Sequence, residues 1–166
     1  MRQLSPSGMK ALKILHLLFA VMWFGGVMAL VSLLLGTHPT TPEMMYMSAK
    51  DHLVIDELFL IPGGFGIVIT SLTYSILTKW GFARHRWILV KWMLTILLVV
   101  LGKAYMGVVL ERNFAYAGQI LNDSAATEPF FKNIHGVAVA GIVQLIGFTI
   151  VLVLSVTKPW KKVVKK

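Results

Sequence analysis

Four long apolar runs constrain this chain more than any other feature. They cover residues 11–36, 53–78, 87–110 and 136–157. Each reaches the ~20 residues a helix needs to cross the hydrocarbon core of a bilayer. In lipid every backbone N–H and C=O must find a partner within the chain, so such runs become helices. With 57% hydrophobic and only 14% charged residues in a chain of 166, no water-soluble domain accommodates them. The expected fold is all-α: one transmembrane domain, a four-helix bundle in contact with the lipid bilayer.

The first run has a basic start, Arg2, Lys10 and Lys13. Its apolar core exceeds the ~7–15 residues of a signal-peptide core, and no small-x-small cleavage site closes it. It reads as an uncleaved first helix. The chain contains no cysteine, which excludes disulfides, thiolate metal sites and thiol catalysis.

Charge sets the expected orientation. Lys79, Arg84, Arg86, Lys158, Lys161, Lys162, Lys165 and Lys166 join the N-terminal cations on one side. The first and third connections hold only Lys50, Arg112 and Lys132, together with the acidic residues. The positive-inside rule then puts both termini in the cytoplasm, in what reads as a bacterial cytoplasmic (inner) membrane protein. The formal charge of +9 is distributed as topology requires and implies no nucleic-acid partner. The tail KPWKKVVKK suits anionic lipid, at about 1 kcal/mol per basic residue near the surface.

Between the runs, MMYMSAKDH reads as a short interfacial helix leading into the second run. KWGFARHR reads as a tight turn that makes the second and third helices antiparallel neighbours. RNFAYAGQILNDSAATEPFFKN reads as a longer, mildly amphipathic loop over the bundle mouth. Pro62 should break or kink the second helix.

Helical phase gives each run one small or polar stripe. The stripes are His16, Ala20, Trp23, Gly26; Asp56, Gly63, Gly66, Thr70; Lys91, Thr95, Leu98, Gly102; and Gly136, Ala140, Gln144, Gly147. In membrane helices such stripes face other helices, within a bundle or between protomers, so a homo-oligomer is also open.

Three constellations carry candidate chemistry. His16 and Lys91 lie at similar depth on helices of the same direction. A neutral imidazole suits a transition metal, and an ammonium suits a carboxylate. Ala20, Gly26 and Gly63 would leave room for a flat ligand beside the Trp23 ring. The plainer alternative is an interhelical hydrogen bond for His16 and a snorkelling Lys91. Buried ionisable groups in lipid are expensive and usually functional, which favours a site. The second constellation is His52, Asp56, Glu57, Lys103, Glu111 and His135. His52 and Asp56 share a face and can share a metal ion with His135, but an Asp56–Lys103 ion pair that docks two helices is preferred. The third is Met44, Met45 and Met47 between His38 and His52. Thioethers and imidazoles select Cu(I), although apolar packing is the commoner role of such methionines.

LKILHLLFAVMWFGG resembles the first helix of a superfamily that includes the CopD-type copper-resistance membrane domain and HemJ-type protoporphyrinogen oxidase. A related, largely uncharacterised bacterial family of four-helix integral membrane proteins is the closest likeness. The resemblance continues through DELFLIPGGFGIVITSL and WGFARHRWILVKW, covering most of residues 11–100. It implies haem b bound in the cytoplasmic half, with His16 as iron ligand, Lys91 beside it and a redox step linked to a porphyrin or quinone. His85 stands near the right height for a second ligand. The HemJ-type pattern continues after its tryptophan with a Leu-Pro-Arg element, whereas this chain reads VMALVSLLLG.

Overall fold

The computed structural model describes residues 4–77 and 86–160. Among these residues the chain forms four long helices and no strand. They are α1 (Pro6–Gly36), α2 (Pro42–Leu77), α3 (Arg86–Ile120) and α4 (Ser124–Thr157), each long and apolar enough to cross a bilayer. Their starts follow simple local chemistry. Ser5 accepts a hydrogen bond from the Gly8 N–H ahead of Pro6, and Thr41 accepts one from the Met44 N–H ahead of Pro42. Asp123 likewise accepts from the Ala125 N–H, at 3.1 Å. A side-chain oxygen satisfies an otherwise unpaired N–H, and proline at the first helical position forfeits no bond.

Most of the inward stripe residues are buried, while His16, Ala20, Lys91, Gly102 and Gly136 are half-buried. Trp23, Gly26, Gly63, Gly66, Thr70, Thr95, Leu98, Ala140, Gln144 and Gly147 are buried. The opposite faces carry large apolar side chains in the open, including Val21 at 70%, Met93 at 65% and Ile146 at 57% exposure. A surface of that kind is stable against lipid tails and aggregates in water.

The glycines set how closely the helices approach. A Cβ on Gly63 would lie 2.8 Å from both the Cβ and the backbone nitrogen of Trp23, so α1 and α2 meet backbone to backbone. Gly26 receives Phe59 and Leu60, Gly66 receives the Phe19 ring, and Gly141 receives Val31 of α1. α1 thus packs against α2 and α4, and α3 packs against α4. α1 and α3 stand across the bundle from each other.

Two expectations about the connections change. Residues 112–120, read as part of a loop, continue α3 to Ile120, and α4 begins at Ser124. Only residues 121–123 separate these helices. The segment's apolar positions, Ala117, Ile120, Ala126 and Phe130, pack with Met45 and Ala49 of α2 in a second small core. That core holds the extension as helix where composition alone suggested a loop. It stands at the end of the bundle opposite the chain termini, called here the far end. α2 and α3 do pair there, but Ile61–Leu77 and the facing part of α3 do not pack extensively. The predicted side-by-side arrangement therefore holds for only half their length. Residues 78–85, which hold most of the tight turn, and residues 161–166 of the basic C-terminal tail lie outside the described residues.

Pro62 neither breaks nor ends α2. One turn before it the helix widens into a π-helical segment, Asp56–Leu60, in which the Ile61 N–H bonds the Asp56 carbonyl. The wider turn absorbs the donor that proline lacks. α3 contains a second π-helical segment, Leu101–Gly107.

Candidate functional site

His16 lies half-buried on the face of α1 that meets α2. Its Nδ1 is 2.8 Å from the Thr70 hydroxyl oxygen. Thr70 in turn is 2.6 Å from the Gly66 carbonyl, which can only accept, so the hydroxyl proton points there. The Thr70 oxygen is left as acceptor, and His16 Nδ1 must carry the proton. In the neutral ring, this assignment of the hydrogen bonds leaves the lone pair on Nε2. Among the described residues no hydrogen bond reaches Nε2. The Tyr74 ring meets the imidazole edge to face at 5.9 Å.

Lys91 reaches the same region from α3. Its Nζ stands 5.9 Å from the centre of the Trp87 ring one turn below, a cation–π contact. Its charge acts on the His16 ring across the bundle. His16 and Lys91 are therefore brought into one electrostatic neighbourhood without direct contact, while Thr70 of α2 is the group that touches the histidine. His85 lies outside the described residues.

The room expected for a flat ligand is taken up. The Gly63 notch is filled by Trp23 and the Gly26 notch by Phe59 and Leu60. Trp23 itself is 2% exposed and stacks edge-on against Phe148 at 4.5 Å. These glycines and Trp23 act first as helix contacts. As a donor set, the His16 end fits an iron ligand. A metal-bound histidine typically donates its other ring N–H to a nearby oxygen, which fixes the ring, and Thr70 provides that oxygen.

A second polar region lies between the two π-helical segments. A narrow cleft there is lined by Trp23 of α1, Asp56, Leu60, Ile61, Gly64 and Phe65 of α2, and Val99, Gly102 and Lys103 of α3. Its water-sized free space is about 40 Å³, room for a few waters. Asp56 is 5% exposed. Lys103 lines the same cleft, but its ion pair is with Glu111 of its own helix, at 3.8 Å. The expected Asp56–Lys103 docking pair is thus replaced by proximity of the two groups. Gln144 of α4 donates to the Leu98 carbonyl at 2.8 Å, in space left by Gly102.

Among the described residues no three His, Asp or Glu side chains gather as a metal site. His52 and Asp56 are buried while His135 is exposed on α4. Met44, Met45 and Met47 diverge around α2: Met45 is buried in the far-end core, and the other two are exposed. The Thr70 tether is the functional detail that sequence phase missed. Thr70 was legible as an inward residue, but its partner depends on the relative register of α1 and α2.

The chain matches no protein family, no curated protein and no solved structure.

Proposed function

We propose that this is a multi-pass membrane protein that binds haem b at its terminal end, with His16 Nε2 as an iron ligand. The observation that carries the reading is the His16–Thr70–Gly66 chain, in which Nδ1 is engaged by Thr70 and Nε2 is left for a metal. In lipid such an arrangement is expensive to keep without use. Thr70 orients the ring, and the Lys91 ammonium balances a propionate of the porphyrin. Haem, when bound, supplies one-electron transfer. A membrane-soluble redox partner, a quinone or a porphyrin, is consistent with a site inside an apolar bundle. On the charge asymmetry both termini face the cytoplasm of a bacterial inner membrane.

Haem titration of the detergent-purified protein tests this. Binding should produce a Soret band that is lost in His16→Ala while helix content is kept. A His16→Ala protein that binds haem as well as the unsubstituted chain removes the proposal. His16, Thr70 and Tyr74 are then a helix-docking contact in a cofactor-free membrane module.

A further inference from the structure

The cleft between the π-helical segments contains a carboxylate that the bundle does not satisfy. Asp56 is buried and opens on the cleft, and no hydrogen bond or ion pair joins its carboxylate to another described residue. Its Oδ2 lies alongside Gly107 of α3. The walls around it are Trp23, Leu60, Ile61, Phe65 and Val99, apolar apart from the indole N–H, with Lys103 the one other charged side chain in the lining. A charged carboxylate left without donors in such surroundings is very costly, whereas the neutral acid is not.

Buried polar groups also lie between Asp56 and the far end. His52 lies one turn from Asp56 on the same face of α2, toward the far end, and is 1% exposed. Its Nδ1 has no hydrogen-bond partner among the described residues. Facing α2 is Asn113 of α3, also 1% exposed, whose Oδ1 has none either. Ala49 and Ala117 pack in the far-end core, and His52 and Asn113 each follow about one turn deeper, so they stand at one level. Asn133 of α4 adds a third unpaired polar atom, its Nδ2, in the same part of the bundle. Buried orphan atoms of this kind are normally bridged by ordered water. Two neighbouring helices change to π geometry where this polar column meets Asp56, and such segments often mark functional sites.

From this arrangement we infer that Asp56 is a proton-binding site inside the membrane bundle, exchanging with water at the far end through His52 and Asn113. The carboxylate takes one proton from that water and returns it to the same side; no other bond changes. The groups that act on it are Glu57 on its own helix and Lys103 and Glu111 on α3. Among the described residues α1 contributes only Trp23 to the cleft and α4 contributes nothing to its lining. Lys103, held toward Glu111, leaves the acid free to change charge. The inference does not depend on haem at His16.

A hydrophobic carbodiimide modifies neutral carboxyl groups in apolar surroundings, and this reactivity provides the test. The protein in liposomes would be treated with dicyclohexylcarbodiimide from about pH 5 to about pH 9, and the modified peptides mapped by mass spectrometry. The expected label sits on Asp56 rather than Glu57 or Glu111, is absent in Asp56→Asn, and falls about tenfold per pH unit once the carboxylate dominates. Infrared difference spectra of the unsubstituted protein should show the carbonyl band of a neutral carboxyl that titrates and shifts in deuterated water. In Asn113→Leu that shift should be slower. Label spread over Glu57 and Glu111, or an Asp56 that is unlabelled and shows no neutral-carboxyl band, overturns the site. Unchanged exchange in Asn113→Leu overturns the route.

Discussion

Replacing Gly63 by alanine is the sharpest test of how α1 and α2 meet. The added Cβ would lie 2.8 Å from the Trp23 nitrogen and 2.9 Å from its Cα, atoms that cannot swing aside as a side chain can. The two helices must separate by several tenths of an ångström along their shared face. That displacement also disturbs Phe19 against Gly66 on the same contact, and Trp23 against Phe148 of α4. Overpacking of this kind costs about 1–3 kcal/mol, against a helix-propensity gain for Gly→Ala of about 1 kcal/mol. The net change should be destabilising. Gly25→Ala on α1 is the matched control, since its Cβ meets nothing within 4 Å and only the propensity gain remains. Reversible unfolding of both variants in mixed micelles, followed by circular dichroism, should move their midpoints in opposite directions. If Gly63→Ala stabilises as much as Gly25→Ala does, α1 and α2 do not meet backbone to backbone and the glycine notch is open for a ligand after all.

Further outcomes follow from the same contacts. Thr70→Val keeps the side chain's shape and removes the oxygen that holds His16 Nδ1, so haem affinity in the titration should fall about 10–100-fold. Met45→Ala empties a position that is 6% exposed in the far-end core and should cost about 2–5 kcal/mol in the unfolding assay. Met44→Ala and Met47→Ala, at exposed positions, should stay within about 0.5 kcal/mol. Glu111→Gln removes the partner of Lys103, but that pair is open to solvent on both sides, and stability should change by less than about 1 kcal/mol.

The membrane architecture was legible because hydrophobic length and helical phase are local properties. Four runs and four stripes placed Trp23, Gly63, Thr70 and Gln144 inward without knowledge of any neighbour. What depended on neighbours was harder to see. Residues 112–120 are polar enough to read as loop, and packing of Ala117 and Ile120 against Met45, Ala49 and Phe130 keeps them helical. Pro62 signalled a disturbance, but whether a helix breaks, kinks or widens depends on which carbonyl can take the next N–H. The small residues near His16 suggested space, yet a glycine leaves room for a ligand or for another helix with equal ease, and here the helix takes it. Lys103 had two acidic partners within reach, and choosing Glu111 over Asp56 required the path of the π-helical segment.

The central claim is that His16 is an iron ligand held by Thr70, and a reduced-minus-oxidised absorption spectrum tests it most directly. The protein would be purified in detergent from cells grown with ample haem precursor, beside His16→Ala prepared in the same way. A Soret band with b-type reduced peaks, missing from His16→Ala, is the predicted result. A colourless preparation of correctly folded protein, or a b-type spectrum unchanged by His16→Ala, would contradict the account.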